Sequence, residues 1–370
     1  MKNQTIDTIA PRFAELMIRK IEALTEDWRQ PWITDMTQGL PRNLRGTPYR
    51  AGNLLLLMIL TEMEKYSAPV FLTFRQAKEE GLNIRNFIPG SRWLFFKLYT
   101  GTQSADILLT RHIGPFVRRL RENGAIDDFF FIRYTDPLFH LRLRLHLPDT
   151  SRYGEVFGAF YETFQPCVES RLVTTIACDT YIREIERYCE ETMVQTERLF
   201  CIDSECIVRI MQTLQQKYLF GTYPREEIRW RIGLLLIDDL LEVFDLSLPE
   251  KEKFMTDAAT AFKTEFGFTV HRATKQLNDK YRSLRNDLYR VLQTRLQNEF
   301  PNPILETRKQ QFRQLSFEIK RLVPEAYFPV YLRSLTHMTM NRLFRSQNRL
   351  CEMMIYEYLS RCYAALRNRQ

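Results

Sequence analysis

Long apolar runs, paired cysteines and glycine are what this chain has least of, and each shortage excludes a class of protein. The longest apolar run, Leu54 to Leu60, is far too short to cross a bilayer, and the N-terminal Met-Lys-Asn-Gln-Thr-Ile-Asp-Thr carries no apolar signal core. A cytoplasmic protein with no membrane insertion is therefore expected. The 7 cysteines are odd in number, scatter from Cys167 to Cys362 and form no Cys-x-x-Cys pair. That pattern argues against a disulfide framework or a metal site and for a reducing compartment. No internal repeat or low-complexity segment occurs. Only 13 glycines beside a hydrophobic content of 45% point to an ordinary globular chain, and 370 residues suffice for two domains with a substantial core. Lysine and arginine number 53 against 45 acids, a formal charge of +8. This excess favours anionic partners without choosing between nucleic acid and an acidic peptide.

The most informative stretch is Phe129-Phe-Phe-Ile-Arg-Tyr-Thr-Asp-Pro-Leu-Phe-His-Leu-Arg-Leu-Arg-Leu-His-Leu147. Its second half alternates leucine with a basic or imidazole side chain. In a strand, successive side chains point to opposite faces, so Leu141, Leu143, Leu145 and Leu147 share a core face while His140, Arg142, Arg144 and His146 share the other. Two arginines at i and i+2 with no acid between them repel unless an anion sits across from them. The row fits an anion-holding face, and it equally fits a solvated sheet surface whose arginines are paired by acids elsewhere.

The remaining patterns predict an α+β fold: a small α-rich N-terminal unit, then a larger domain with a β-hairpin-containing sheet and many helices. Apolar spacing gives helices over 6–25 and Leu54–Glu64, with another near Lys78. A strand is expected over Trp93–Tyr99, a helix over Ala105–Glu122, a turn at Asn123-Gly124, and a hairpin of 129–134 with 140–147 joined by Thr135-Asp-Pro137. Asp136 is read as a turn builder. A further strand is expected around Ile176–Glu186, and helices over 151–164, 190–217, 225–245, 250–264, 271–299, 304–322 and 340–367.

Several segments together resemble a known family. Arg92-Trp-Leu-Phe-Phe-Lys-Leu-Tyr99, Asp106-Ile-Leu-Leu109, Phe129 to Pro137, His140-Leu-Arg-Leu-Arg144, Tyr181-Ile-Arg-Glu-Ile-Glu-Arg-Tyr188 and His337-Met-Thr-Met-Asn-Arg342 follow the order seen in the C-terminal domain of class I lantibiotic dehydratases, also called the thiopeptide-type bacteriocin biosynthesis domain. The resemblance spans about 87–370. It implies removal of glutamate from glutamylated serine or threonine of a precursor peptide, leaving dehydroalanine or dehydrobutyrine. It also implies a separate glutamyl-tRNA-dependent glutamylation protein as partner, and no cofactor.

Elimination needs a cationic pocket for the leaving glutamate, a base for the Cα proton and a group to stabilise the departing carboxylate. Arginine suits the first and last tasks, because its planar fork matches a carboxylate and keeps its charge, so Arg142 and Arg144 lead the candidates. Through the resemblance, Arg187 corresponds to an arginine active in elimination, with Glu184 one turn before it. Cys189-Glu190 here replaces the glycines usual after that Arg-Tyr pair. His337 corresponds to the family histidine of His-Met-x-x-Asn-Arg and would move a proton near neutral pH. Arg133, His140 and Asn341 are expected to orient these groups, whereas His112, His146 and His271 fall in no motif.

Residues 8–85 resemble a second family, the N-terminal single-stranded-DNA-binding domain of ArdC-type antirestriction proteins. The segments are Phe13-Ala-Glu-Leu-Met-Ile, Trp28-Arg-Gln-Pro-Trp32, Pro41-Arg-Asn-Leu44, Tyr49-Arg-Ala-Gly-Asn53 and Pro69 to Ala77. The likeness stops short of that whole domain, and no His-Glu-x-x-His zinc motif follows. It implies a boundary near 86 and 87 and single-stranded DNA as a partner, with Trp28, Trp32 and Tyr49 as stacking platforms and Arg50 and Arg75 along the phosphates. The same mixture fits a small core with a basic rim. Two further functions stay open: a pyridine synthase of the same superfamily, joining two dehydroalanines by a formal cycloaddition, and a non-catalytic module binding a leader peptide or DNA.

Overall fold

A computed structural model describes residues 41–43, 57, 70–71, 86–217, 225–265, 271–296 and 302–368. The chain divides into two units, Met1–Ile84 and Arg85–Gln370, and nearly all described residues belong to the second. That unit is α+β. Its centre is an antiparallel sheet of order β3-β4-β2-β5, built from β2 (Trp93–Tyr99), β3 (Asp128–Thr135), β4 (Phe139–His146) and β5 (Thr175–Asp179). A small ribbon pairs β1 (Asn86–Phe87) with β6 (Tyr181–Ile182).

The helices in chain order are α1 (Ser104–Ile107), α2 (Gly114–Glu122), α3 (Tyr153–Glu169), α4 (Ile185–Tyr188), α5 (Met193–Lys217) and α6 (Arg225–Val243). They continue as α7 (Leu248–Glu265), α8 (His271–Thr294), α9 (Asn302–Leu322), α10 (Phe328–Leu343) and α11 (Asn348–Arg367). A π-helical turn, Leu108–Ile113, joins α1 to α2. Directly after it comes Gly114, where a Cβ would lie 2.7 Å from Gln212 Nε2 and 3.1 Å from Val208. Only glycine lets α2 approach α5 this closely.

The alternation in β4 does what the sequence suggested on one face. Leu141, Leu143, Leu145 and Leu147 are fully buried, and Phe96, beside them on β2, stacks on Phe160 of α3 at 3.8 Å. Helices α2 and α3 therefore cover the leucine face.

The outer strand β3 is closed by side chains instead of by another strand. Phe131 N–H donates to Ser204 Oγ of α5 at 3.1 Å, and its carbonyl accepts from Arg342 Nε at 2.9 Å. Arg133 N–H donates to Asn341 Oδ1 at 2.9 Å, while Asn341 Nδ2 donates back to the Arg133 carbonyl at 2.8 Å. Asn341 thus stands in for a neighbouring strand, since an amide carries the same donor and acceptor as a backbone unit.

Three elements differ from the sequence reading. The late helix expected over 340–367 is two helices, because α10 ends at Leu343 and the chain runs extended at Phe344 before α11 begins. The end is set from outside: Arg133 Nε donates to the Arg342 carbonyl at 3.0 Å and Arg229 Nη1 to the Leu343 carbonyl at 2.9 Å. These are carbonyls a helix C-terminus leaves without partners. The strand around Ile176–Glu186 is split into β5, β6 and the short helix α4. Helix α3 continues through Pro166 to Glu169, with proline only in its last turn.

Both terminating arginines are held by one carboxylate. Asp106 Oδ1 lies 2.6 Å from Arg133 Nη2, and Asp106 Oδ2 lies 2.6 Å from Arg229 Nη2. Burial alone would raise the Asp106 pKa, but the two guanidinium groups outweigh it and hold it below the usual carboxylate value. A depressed carboxyl stabilises the fold above its unfolded pKa and loses that contribution only as the pH drops through the folded value. Asp106→Asn leaves two buried arginines without a counter-charge and should lower stability by about 3–5 kcal/mol at neutral pH. Urea denaturation checks this, and an unchanged midpoint would show that the triad is not what ends α10.

Candidate functional site

The other face of β4 is a row of cations roofed by aromatic rings. Arg144 is flanked in register by Phe95 of β2 and Phe130 of β3. Its guanidinium carbon lies 4.5 Å from the Phe95 ring centre, 5.0 Å from Phe130 and 4.6 Å from Tyr181. Cations are attracted to ring faces, but rings do not replace hydrogen bonds: its buried Nε and Nη1 have no partner among the described residues. Six arginines are buried among the described residues, namely Arg133, Arg144, Arg183, Arg229, Arg308 and Arg342. Five of them bond a carboxylate, at 2.5–3.2 Å, through Asp106, Glu197 or Asp203. Arg144 is the exception. Burial pulls its pKa down to about 10. Glu184 lies near enough to favour the charge, while Arg142 and Arg342 oppose it.

Arg142, two residues away, is half-buried and stacks on the Tyr134 ring at 3.4 Å. No carboxylate among the described residues lies within bridging distance of it. Its Nε–H donates to His140 Nε2 at 3.2 Å, and His140 Nδ1–H donates to the Leu138 carbonyl at 2.9 Å. Both ring nitrogens are thereby committed and the imidazole is neutral. Burial, opposed by the Leu138 hydrogen bond and aided by Arg142 and Lys97, lowers the His140 pKa, so it remains neutral at physiological pH. His140 aims Arg142. On the same face Lys97 pairs with Asp179 of β5.

Arg187 lies on α4, exposed and paired with Glu184 at 3.0 Å. The backbone of α4 is tied to the entrance of α10, because Tyr327 Oη donates to the carbonyls of Glu186 and Arg187 at 3.0 and 3.2 Å. Cys189, directly after α4, has φ 61° and ψ 144°, a backbone conformation strained for a side chain and open to glycine.

His337 sits on α10 one helical turn before Asn341, and Asn341 is bonded to β3, the strand beside β4. Its Nδ1–H donates to Glu352 Oε2 of α11 at 2.8 Å. Arg133 faces away from the cationic row, on the leucine side, and works in the framework with Asp106. Glu352 and Tyr134 were not singled out from the sequence: Glu352 belongs to no motif, Tyr134 lies in the Phe129 to Pro137 segment without an assigned role, and only packing brings them to His337 and Arg142. Trp28, Trp32, Tyr49, Arg50 and Arg75 lie outside the described residues. A cleft of about 400 Å³ at the start of β3, lined by Arg121, Asp128, Arg198 and Glu205 among others, holds none of the candidates. Its charges pair with each other, as in Arg121 to Glu205 at 2.6 Å.

Comparison with known proteins shows the family. Residues 93–363 match the family model described as lantibiotic biosynthesis dehydratase C-term. The chain belongs to this family. Residues 7–124 match a second model, the N-terminal domain of the anti-restriction factor ArdC, which extends beyond the segments of likeness in the sequence. The subtilin biosynthesis protein SpaB of Bacillus subtilis is 27% identical over 219 residues, covering 58% of this chain and 20% of that protein. Among solved structures, the tRNA-dependent lantibiotic dehydratase MibB from Microbispora sp. 107891 aligns with TM-score 0.56 and 18% identity, over 82% of this chain and 30% of that one. The pyridine synthase TbtD from thiomuracin biosynthesis aligns with TM-score 0.55 and 12% identity, over 74% of this chain and 98% of that one. The chain therefore spans a third or less of SpaB and of MibB, and the two structures establish a shared fold.

An uncompensated buried guanidinium destabilises the fold that carries it. The Arg144 shift corresponds to lost solvation on the order of 3 kcal/mol, constant through neutral pH and relieved only above about pH 10. Arg144→Met should accordingly raise stability, by about 1–4 kcal/mol. The check is the denaturation midpoint of the two proteins without ligand. A lower midpoint would mean that Arg144 is a structural cation with partners of its own.

Proposed function

We propose that this protein eliminates glutamate from glutamylated serine or threonine of a ribosomally made precursor peptide. The observation that carries the reading is Arg144, the one buried arginine among the described residues with no carboxylate, beside Arg142, which is likewise unpaired. Family membership supports a role in dehydration, and an unpaired arginine pair suits the anionic glutamyl group on which elimination acts. The glutamate carboxylate would supply the counter-charge that the fold withholds.

In the elimination the Cα–H bond breaks and its electron pair forms the Cα–Cβ double bond. The Cβ–O bond breaks with its pair leaving on the glutamate carboxylate. His337 takes the proton, Arg142 and Arg144 hold the developing carboxylate, and Arg187 exchanges Glu184 for the substrate's acid. The substrate is a peptide that already carries the glutamyl ester. A cycloaddition, as in a pyridine synthase, would release no glutamate.

Incubating a glutamylated precursor peptide with the protein should yield free glutamate and residues lighter by one water, read by mass spectrometry. Arg142→Ala or Arg144→Ala should leave glutamyl adducts accumulating, because each removes a charge-assisted contact worth roughly 1.5–3 kcal/mol, or about one to two decades in rate. Intact adducts with the unmodified protein would sink the proposal.

We further propose that the first unit, Met1–Ile84, is an appended unit that plays no part in this chemistry. All residues assigned to the chemistry follow Trp93, and a domain with its own core folds alone. Deleting 1–84, which keeps β1 with β6, should leave elimination at its full rate and remove any salt-sensitive binding of single-stranded DNA. A soluble, folded but inactive truncation would make the two units one functional body.

A further inference from the structure

The pair formed by His337 and Glu352 says more about the site than the motif does. Glu352 is almost completely buried, at 1% exposure, whereas the His337 side chain keeps 35%. The carboxylate therefore cannot meet a peptide, but the imidazole can. Glu352 Oε2 accepts from His337 Nδ1 at 2.8 Å and Oε1 accepts from Tyr356 Oη at 2.6 Å, with Thr336 Oγ1 2.8 Å from that phenol oxygen. Burial, then the Glu352 carboxylate, raises the Tyr356 pKa well above its usual value, so the phenol keeps its proton for this bond. Among the described residues no cation other than His337 lies within bridging distance of Glu352. A buried acid is a poor structural choice at such a position, since an apolar residue of similar volume would be as stable or more so.

We propose that Glu352 is the positioning residue of the proton-transfer step: by holding Nδ1–H it leaves Nε2 as the ring nitrogen that meets substrate, and its charge stabilises the imidazolium formed there. This rests on the elimination reading above. When the Cα–H bond breaks, the proton passes to Nε2, the electron pair enters the new double bond, and the glutamate departs with the Cβ–O pair. The imidazolium then returns its proton to solvent. Tyr356 and Thr336 keep the carboxylate from turning away, in the way an acid orients a catalytic imidazole elsewhere.

The test separates the two claims. Nitrogen NMR of the full chain labelled at histidine should show His337 as the Nδ1–H tautomer at pH values where the ring is neutral, with Nε2 unprotonated. Glu352→Gln should mix the tautomers and lower kcat by about 10²-fold or more with KM little changed, approaching the loss in His337→Ala. Tyr356→Phe keeps the acid and should retain the tautomer with a smaller loss, so a misfolded Glu352→Gln does not end the test. An Nε2–H tautomer in the unmodified protein, or full kcat in folded Glu352→Gln, would overturn the assignment. If the unmodified protein releases no glutamate, the elimination reading fails, while the tautomer still decides whether Glu352 sets the ring.

Discussion

A sheet edge that faces helices instead of another strand must find partners for its backbone groups, and the closure of β3 is the constraint on which this domain depends. Orphaned N–H and C=O groups in a dry interior each cost about 1–3 kcal/mol, so the helices beside β3 must offer side chains in strand register. Ser204, Asn341 and Arg342 do so. That requirement fixes α5 and α10 along the strand. It also explains why the motif ending in Asn341-Arg342 sits where it does: its last two residues are hydrogen-bonding surrogates for a missing strand. His337 is placed by the same act, because one helical turn separates it from Asn341.

Two buried triads hold this arrangement. Asp106 grips Arg133 and Arg229, which cap the end of α10, and Asp203 grips Arg308 at 2.8 Å and Arg342 at 3.2 Å. The first joins β3 to α1 and α6, and the second joins α5, α9 and α10, whose Arg342 also donates to the Phe131 carbonyl of β3; such charge-assisted bonds are directional and break steeply when a partner is lost. Hydrophobic burial alone would tolerate sliding of α10 along β3, but two triads and an amide lock do not. That restraint fixes where α10, and with it His337, stands along β3.

The hairpin was legible in the sequence because alternation is a local property and the leucine face needed only a core to meet. The cationic face was half legible: spacing put Arg142 and Arg144 together, but whether acids paired them depended on chain segments far away. The break between α10 and α11 was not legible, since Met-Asn-Arg-Leu-Phe has no helix-stopping residue and the stop comes from Arg133 and Arg229, more than 100 positions upstream. Similarly, Arg133 belongs to a motif that reads as functional, yet its place in a triad is visible only when Asp106 and the end of α10 are brought to it. Glu352 lies 15 residues beyond His337 on the next helix, at a spacing no single-helix periodicity would pick.

What separates a framework cation from a candidate functional one here is the completeness of its surroundings. Arg183, on the β6 side of the sheet, is satisfied by Glu197 with two bonds at 2.7 and 2.5 Å, and the triad arginines likewise have fixed counter-charges. Arg144 is as deeply buried but is given aromatic faces, which attract a cation while leaving its in-plane N–H groups unused. A fold selected for stability alone would pair this guanidinium or replace it with an apolar side chain. Retaining it with unused donors beside Arg142, whose orientation His140 sets, makes sense for a site whose missing acid arrives with the ligand. The stability expected from Arg144→Met and the slowing expected from Arg144→Ala are therefore two consequences of the same unfilled coordination.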